Sequence, residues 1–112
     1  VVKTAFEREF PNKKASWTNE DTGFEAEFSL NGAEASATYD ENGHRKELEV
    51  EIKKQELPQA VLNYLKQNYP SKKIDEIAKI TNDKNIVIYE TEIKIDGKSR
   101  DLLFDANGKF VK

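Results

Sequence analysis

Tyr39-Asp40-Glu41-Asn42-Gly43 and Phe104-Asp105-Ala106-Asn107-Gly108 are two copies of one phrase, 65 positions apart. The same offset lays Phe24-Glu25-Ala26-Glu27-Phe28 on Tyr89-Glu90-Thr91-Glu92-Ile93, and Asn31-Gly32 on Asp96-Gly97. Upstream, Phe6-Glu7-Arg8-Glu9-Phe10-Pro11 meets Leu65-Lys66-Gln67-Asn68-Tyr69-Pro70 at an offset of 59, so about six extra residues lie between Pro70 and Tyr89. A period of this length is a supersecondary unit written twice, and each copy checks the reading of the other.

Each copy opens with a helix. Val2, Phe6 and Phe10 recur at i, i+4 and i+8, as do Val61, Leu65 and Tyr69, the stripe of an amphipathic helix. Pro11 and Pro70 stop these helices, because proline lacks the amide donor and pushes the residue before it out of helical geometry. Pro58 is expected in the first turn of the second helix, where its missing N–H costs nothing.

Strands follow. Phe24, Ala26, Phe28 and Leu30 alternate with Glu25, Glu27 and Ser29, and Leu48, Val50 and Ile52 with Glu47, Glu49 and Glu51. Val87, Tyr89, Thr91, Ile93 and Ile95 keep the same period of two, that of a sheet with one wet face. Asn31-Gly32 and Asp96-Gly97 are signals for type I′ hairpin turns, and the two Asp-x-Asn-Gly phrases for slightly longer loops with Gly in the left-handed position. The expected order is helix 1–10, strands near 14–20, 23–30, 33–39 and 44–54, helix 58–69, then strands near 73–81, 86–95, 98–104 and 109–112. This is an α+β fold: a tandem repeat of a helix followed by an antiparallel β-meander, with repeats of about 1–56 and 57–112. A half of that size is marginal alone, so residues 1–112 are expected to form a single domain.

Composition removes several functions. With 112 residues and no Cys, there is no disulfide framework, thiolate metal site or thiol nucleophile. No apolar run approaches the roughly 20 residues needed to span a bilayer as a helix. A net charge of −3 argues against general nucleic-acid binding, which calls for a basic face. The charge is uneven: residues 1–56 hold 8 basic and 13 acidic side chains, residues 57–112 hold 10 and 8. With no Met in the sequence, Val1 is not a translational start, and a mature or trimmed form is expected.

No convergent catalytic set emerges, and the chain is not expected to be an enzyme or to need a cofactor. His44, the one histidine, follows a Gly turn, and no nucleophile elbow accompanies it. Asp40 and Asn42, with Asp105 and Asn107, offer oxygens suited to calcium, but the third oxygen position and the bidentate Glu of an EF-hand are missing. Hairpin loops capped by Asp are the first reading there, and a calcium or small-ligand module is the alternative. Glu25 and Glu27, Glu47, Glu49 and Glu51, and Glu90 and Glu92 place carboxylates on a sheet face. That reads as a solvated face which also discourages edge aggregation. Trp17 lies in the polar stretch Lys13–Asn19, a core residue or an interface anchor, since large aromatics on polar strands are common anchors.

The quoted residues resemble a known family. Phe10-Pro11, Trp17, Phe24 to Phe28, Tyr39-Asp40 and Gly43, then Leu57-Pro58, Tyr69-Pro70, Tyr89 to Ile93, Gly97, Phe104-Asp105 and Gly108, are similar to the pattern of PepSY-like, β-lactamase-inhibitor-like proteins. The resemblance spans nearly the whole chain, although no Leu-Pro precedes the first helix. It implies a periplasmic or secreted bacterial protein, built like the β-lactamase inhibitor protein, whose precursor signal is absent from this sequence. On this reading the protein is a non-catalytic binding or inhibitor-like module, monomeric or weakly dimeric. It would present a sheet face, with Trp17, Glu25, Glu27, Glu90 and Glu92 as contact residues, to a protein or peptide partner.

Overall fold

The computed structural model describes residues 1–20, 23–71 and 73–112. Helix α1 (Val2–Glu9) precedes β1 (Ser16–Glu20), β2 (Gly23–Leu30), β3 (Ala33–Asp40) and β4 (Arg45–Glu51). A 3₁₀ turn (Lys54–Glu56) leads into α2 (Gln59–Asn68), followed by β5 (Ile74–Asn82), β6 (Val87–Ile95) and β7 (Lys98–Asp105). The fold is α+β, with two helices and a seven-stranded antiparallel sheet whose strands keep chain order. By packing, the chain divides into a first unit of Val1–Val50 with Thr81–Asn85, and a second of Glu51–Ile80 with Ile86–Lys112.

The punctuation acts where the sequence puts it. Phe10 (φ −128°, ψ 72°) and Tyr69 (φ −138°, ψ 58°) leave helical geometry in front of their prolines, while their amides still donate to Phe6 and Leu65. Pro58 is the residue before α2 rather than within its first turn, and its carbonyl accepts from the amides of Val61 and Leu62. Asn31 and Gly32 have φ of 52° and 84°, Asp96 and Gly97 of 54° and 80°, the pair of positive angles a type I′ turn requires.

In the first unit α1 lays Val2 and Phe6 on Ala26, Phe28, Ala35, Ala37 and Tyr39. Ala26 and Ala37 are paired across β2 and β3, and both are fully buried. Such small side chains leave room that rings fill. Phe6 lies edge-on to Phe28 at 4.9 Å and to Trp17 at 5.5 Å between centroids. The second unit packs Leu57, Val61 and Leu65 on Ile77, Ile93, Leu102 and Phe104, and its ring contacts lie among Tyr64, Phe104 and Phe110. Here the positions of the alanine pair are taken by Thr91 and Leu102.

Two expectations about strands need correction. β4 ends at Glu51, not 54, because the Lys53 amide donates to the Glu56 carboxylate at 2.7 Å and closes the 3₁₀ turn instead. Residues 109–112 form no strand. Phe110 makes an isolated bridge to Phe104, and around it the amides of Val111 and Lys112 both donate to the Leu103 carbonyl while the Leu103 amide donates back to Lys112, an irregular, bulge-like pairing rather than a regular ladder.

Candidate functional site

In the first unit, alternation sends one set of side chains to α1 and the other to the helix-free face of the strands. On that face Thr18, Glu25, Thr38 and Glu47 form one row across β1 to β4, and Ser16, Glu27, Ser36 and Glu49 the next. Every carboxylate in the two rows is opposite a hydroxyl residue, never opposite another carboxylate. Like charges directly across a ladder are destabilising, so four acids are held on one surface at reduced electrostatic cost.

Glu90 and Glu92 belong to the second unit, where the pattern changes. Glu90 pairs with Leu103, and Glu92 directly with Asp101. Desolvation, followed by the charges of Glu76, Asp101 and Asp75, raises the Glu92 pKa above the ordinary glutamate range. The acids of this face are crowded rather than interleaved.

Trp17 is turned to the core side of β1, half-buried against Phe6 and Tyr39. Its outer edge lines a shallow depression with Val1, Val2, Lys3, Asn19, Phe24 and Glu41. It is therefore on the opposite face from Glu25 and Glu27.

The Asp-x-Asn-Gly loops are matched in detail. Asp40 Oδ1 accepts from the amides of Asn42 and His44 at 2.9 and 3.0 Å, and Asp105 Oδ1 from those of Asn107 and Lys109 at 2.9 Å. The His44 amide foremost, and the Asn42 amide after it, hold the Asp40 carboxyl below its usual range. One oxygen of each Asp is thus committed to shaping its turn. Among the described residues, no group of three or more His, Asp or Glu side chains is arranged to hold a metal ion. His44 has an exposed side chain, with Nδ1 3.5 Å from Asp40 Oδ2.

Gly43 and Gly108 share a second property. At φ of 85° and 86° they pass so close to a helix start that an added Cβ would lie 2.9 Å from Val1 Cγ1 in the first case and 2.7 Å from Ala60 Cβ in the second. Each loop is seated against the beginning of its own unit's helix.

A family model described as "Putative beta-lactamase-inhibitor-like, PepSY-like" matches residues 21–112. The chain belongs to the PepSY-like family. Its structure is similar to that of a "putative periplasmic" protein from Bacteroides eggerthii, with TM-score 0.92, 15% identity, and 99% of this chain and 84% of that one covered. A DUF2874 family protein from Bacteroides uniformis matches with TM-score 0.90, 18% identity and the same coverages. A BLIP-like protein from Bacteroides fragilis matches with TM-score 0.81, 22% identity, and 99% and 81% covered. At these identities the likeness is one of fold. No curated protein is detectably similar in sequence.

One cluster in this PepSY-like chain escaped sequence reasoning. Tyr39 Oη donates to Glu9 Oε1 at 2.9 Å, Arg45 reaches Glu9 Oε2 at 3.2 Å, and the same guanidinium lies 5.9 Å from the Phe10 ring centre. A bulge between Thr38 and Tyr39 pairs Arg45 with Tyr39 and leaves Lys46 as the extra residue, whose Nζ bonds Asp83 at 3.2 Å. The PepSY-like punctuation says nothing of these side chains, but the repeat does: Tyr39 carries a hydroxyl where its counterpart Phe104 has none.

Proposed function

We propose that the protein is a non-catalytic, exported binding module, a single domain of two PepSY-like repeats. It presents the helix-free face of β1 to β4 to a protein or peptide partner carrying several lysines or arginines. The observation that supports this reading is the alternation of Glu25, Glu27, Glu47 and Glu49 with Ser16, Thr18, Ser36 and Thr38. Carboxylates give charge attraction, and hydroxyls can donate or accept at a partner's backbone. Exposed ion pairs contribute about 0.2–1 kcal/mol each, so such a face favours rapid, salt-sensitive and reversible association over tight binding. The periplasmic description of the Bacteroides eggerthii neighbour supports export as the setting.

Calorimetry at low ionic strength with an oligolysine peptide, and an oligoglutamate peptide as control, tests the proposal. The oligolysine should bind, should weaken as salt is added, and should lose most of its affinity for a Glu25→Gln, Glu27→Gln, Glu47→Gln, Glu49→Gln variant. Binding indifferent to all four substitutions would place the contact elsewhere and defeat the reading.

A further inference from the structure

The two repeats fill corresponding spaces differently. Beside the last turn of α1 the interior holds Phe6, Phe10, Phe28 and Trp17, with centroid separations of 5.4 Å for Phe6–Phe10, 4.8 Å for Phe10–Phe28 and 5.5 Å for Phe6–Trp17. The repeat offsets carry Phe6 to Leu65, Phe10 to Tyr69 and Phe28 to Ile93. Two phenyl rings thus become branched aliphatic chains of smaller volume. An open groove of about 420 Å³ remains in the second unit, lined by Leu62, Leu65, Tyr69, Pro70, Ile74 and Ile93 with Lys54 and Lys66.

The charges at this groove are of one sign. Lys54 and Lys66 are exposed, no acidic side chain lines the groove, and neither ammonium group takes part in an ion pair of the described residues. Lys66 stands where the first repeat has Glu7. Lysine stems cover apolar surface while their heads stay in water, so both ammonium groups sit at the mouth of an apolar trough. An apolar floor rewards a hydrocarbon tail, and two unpaired cations reward an anionic head. The volume lies in the lower part of the small-ligand range, suited to one chain of moderate length rather than a two-chain lipid.

We infer that this groove binds a free medium-chain fatty acid, with its chain along Leu62, Leu65, Ile74 and Ile93 and its carboxylate toward Lys54 and Lys66. In the first repeat the corresponding positions are filled by the rings of Phe6, Phe10 and Phe28. The inference is separate from the sheet-face reading and stands or falls without it.

Titration calorimetry of the intact protein with octanoate, decanoate and dodecanoate, each below its micellar concentration, is the test. Decanol and decyltrimethylammonium serve as head-group controls. Affinity should rise about fourfold per added methylene while the groove is filling. Decanoate should bind more tightly than decanol, and decyltrimethylammonium should not bind. Lys54→Glu with Lys66→Glu should weaken decanoate about tenfold and leave decanol unchanged. Ile93→Phe, which restores the ring found at Phe28, should abolish binding of both. Should that variant fail to fold, the two exposed lysine reversals carry the test. Absence of binding by all three carboxylates, equal binding of the ammonium analogue, or decanoate affinity indifferent to the lysine reversals would overturn the inference.

Discussion

Tyr39 donates its hydroxyl to Glu9 Oε1 across 2.9 Å, joining the end of β3 to the last residue of α1. Burial, then the hydrogen bond and charge of Glu9, push the Tyr39 pKa well above the ordinary tyrosine range. A raised value means that the stabilisation is complete below the unfolded pKa, near 10, and is lost as pH rises through the folded value. Tyr39→Phe should cost about 1 kcal/mol at neutral pH and flatten the alkaline limb of the stability profile. Chemical denaturation at neutral and high pH checks both; an alkaline limb unchanged by the substitution would show that another group controls it.

Gly108 lies against Ala60 more closely than any side-chain carbon permits, whereas Gly97, with similar φ, has nothing within 4 Å. Gly97→Ala should therefore carry only the backbone penalty of about 1 kcal/mol. Gly108→Ala should lose about 2 kcal/mol more, since the start of α2 must shift. Equal losses in urea unfolding would mean that the close approach costs nothing.

Thr91 is fully buried, and its hydroxyl has no hydrogen-bond partner among the described residues. Thr91→Val keeps the shape and removes the unsatisfied group, so stability should rise by about 1 kcal/mol, or roughly 4 °C in Tm for a domain of this size. A fall in Tm on calorimetric scanning would reveal a partner for that hydroxyl.

Glu92 faces Asp101 across β6 and β7, with Glu76 and Asp75 near and Lys94 opposing them. Its folded pKa is raised, so its favourable contribution is complete below about pH 4 and is lost as pH rises through the folded value. Glu92→Gln should be more stable than the parent at neutral pH, and the difference should vanish in acid. A Tm against pH series shows it; an offset constant with pH would rule out ionisation as its origin.

Helix stops and hairpin turns were legible because their causes are local. Proline acts on the residue before it at Phe10 and Tyr69, and Asn31-Gly32 and Asp96-Gly97 accept the required angles whatever surrounds them. The 3₁₀ turn was hidden because Lys53 and Glu56 extend the charged alternation of β4, and the bonds that end the strand, from the Lys53 amide to the Glu56 carboxylate and from the Glu56 amide to the Lys53 carbonyl, leave no mark in that pattern. The tail 109–112 has strand-like residues, but its fate depends on which carbonyl the Val111 and Lys112 amides reach. For the candidate site, period two was enough to put Glu25 and Glu27 on one face. The interleaving with Ser16, Thr18, Ser36 and Thr38 follows from register across four strands, which no local pattern reports. Glu9, Tyr39 and Arg45 are far apart in sequence, and the bulge that brings Arg45 beside Tyr39 has no local signature.

The seating of Gly43 and Gly108 against helix starts makes the two ends of each unit's hairpins unequal. At 42–43 and 107–108 a longer loop would lever its helix off the strands; at 31–32 and 96–97 it would meet only solvent. Variation in length and residue type can therefore accumulate at one end of each unit without disturbing the core. That end is where loops of new sequence could be grafted to give this small scaffold a different specificity.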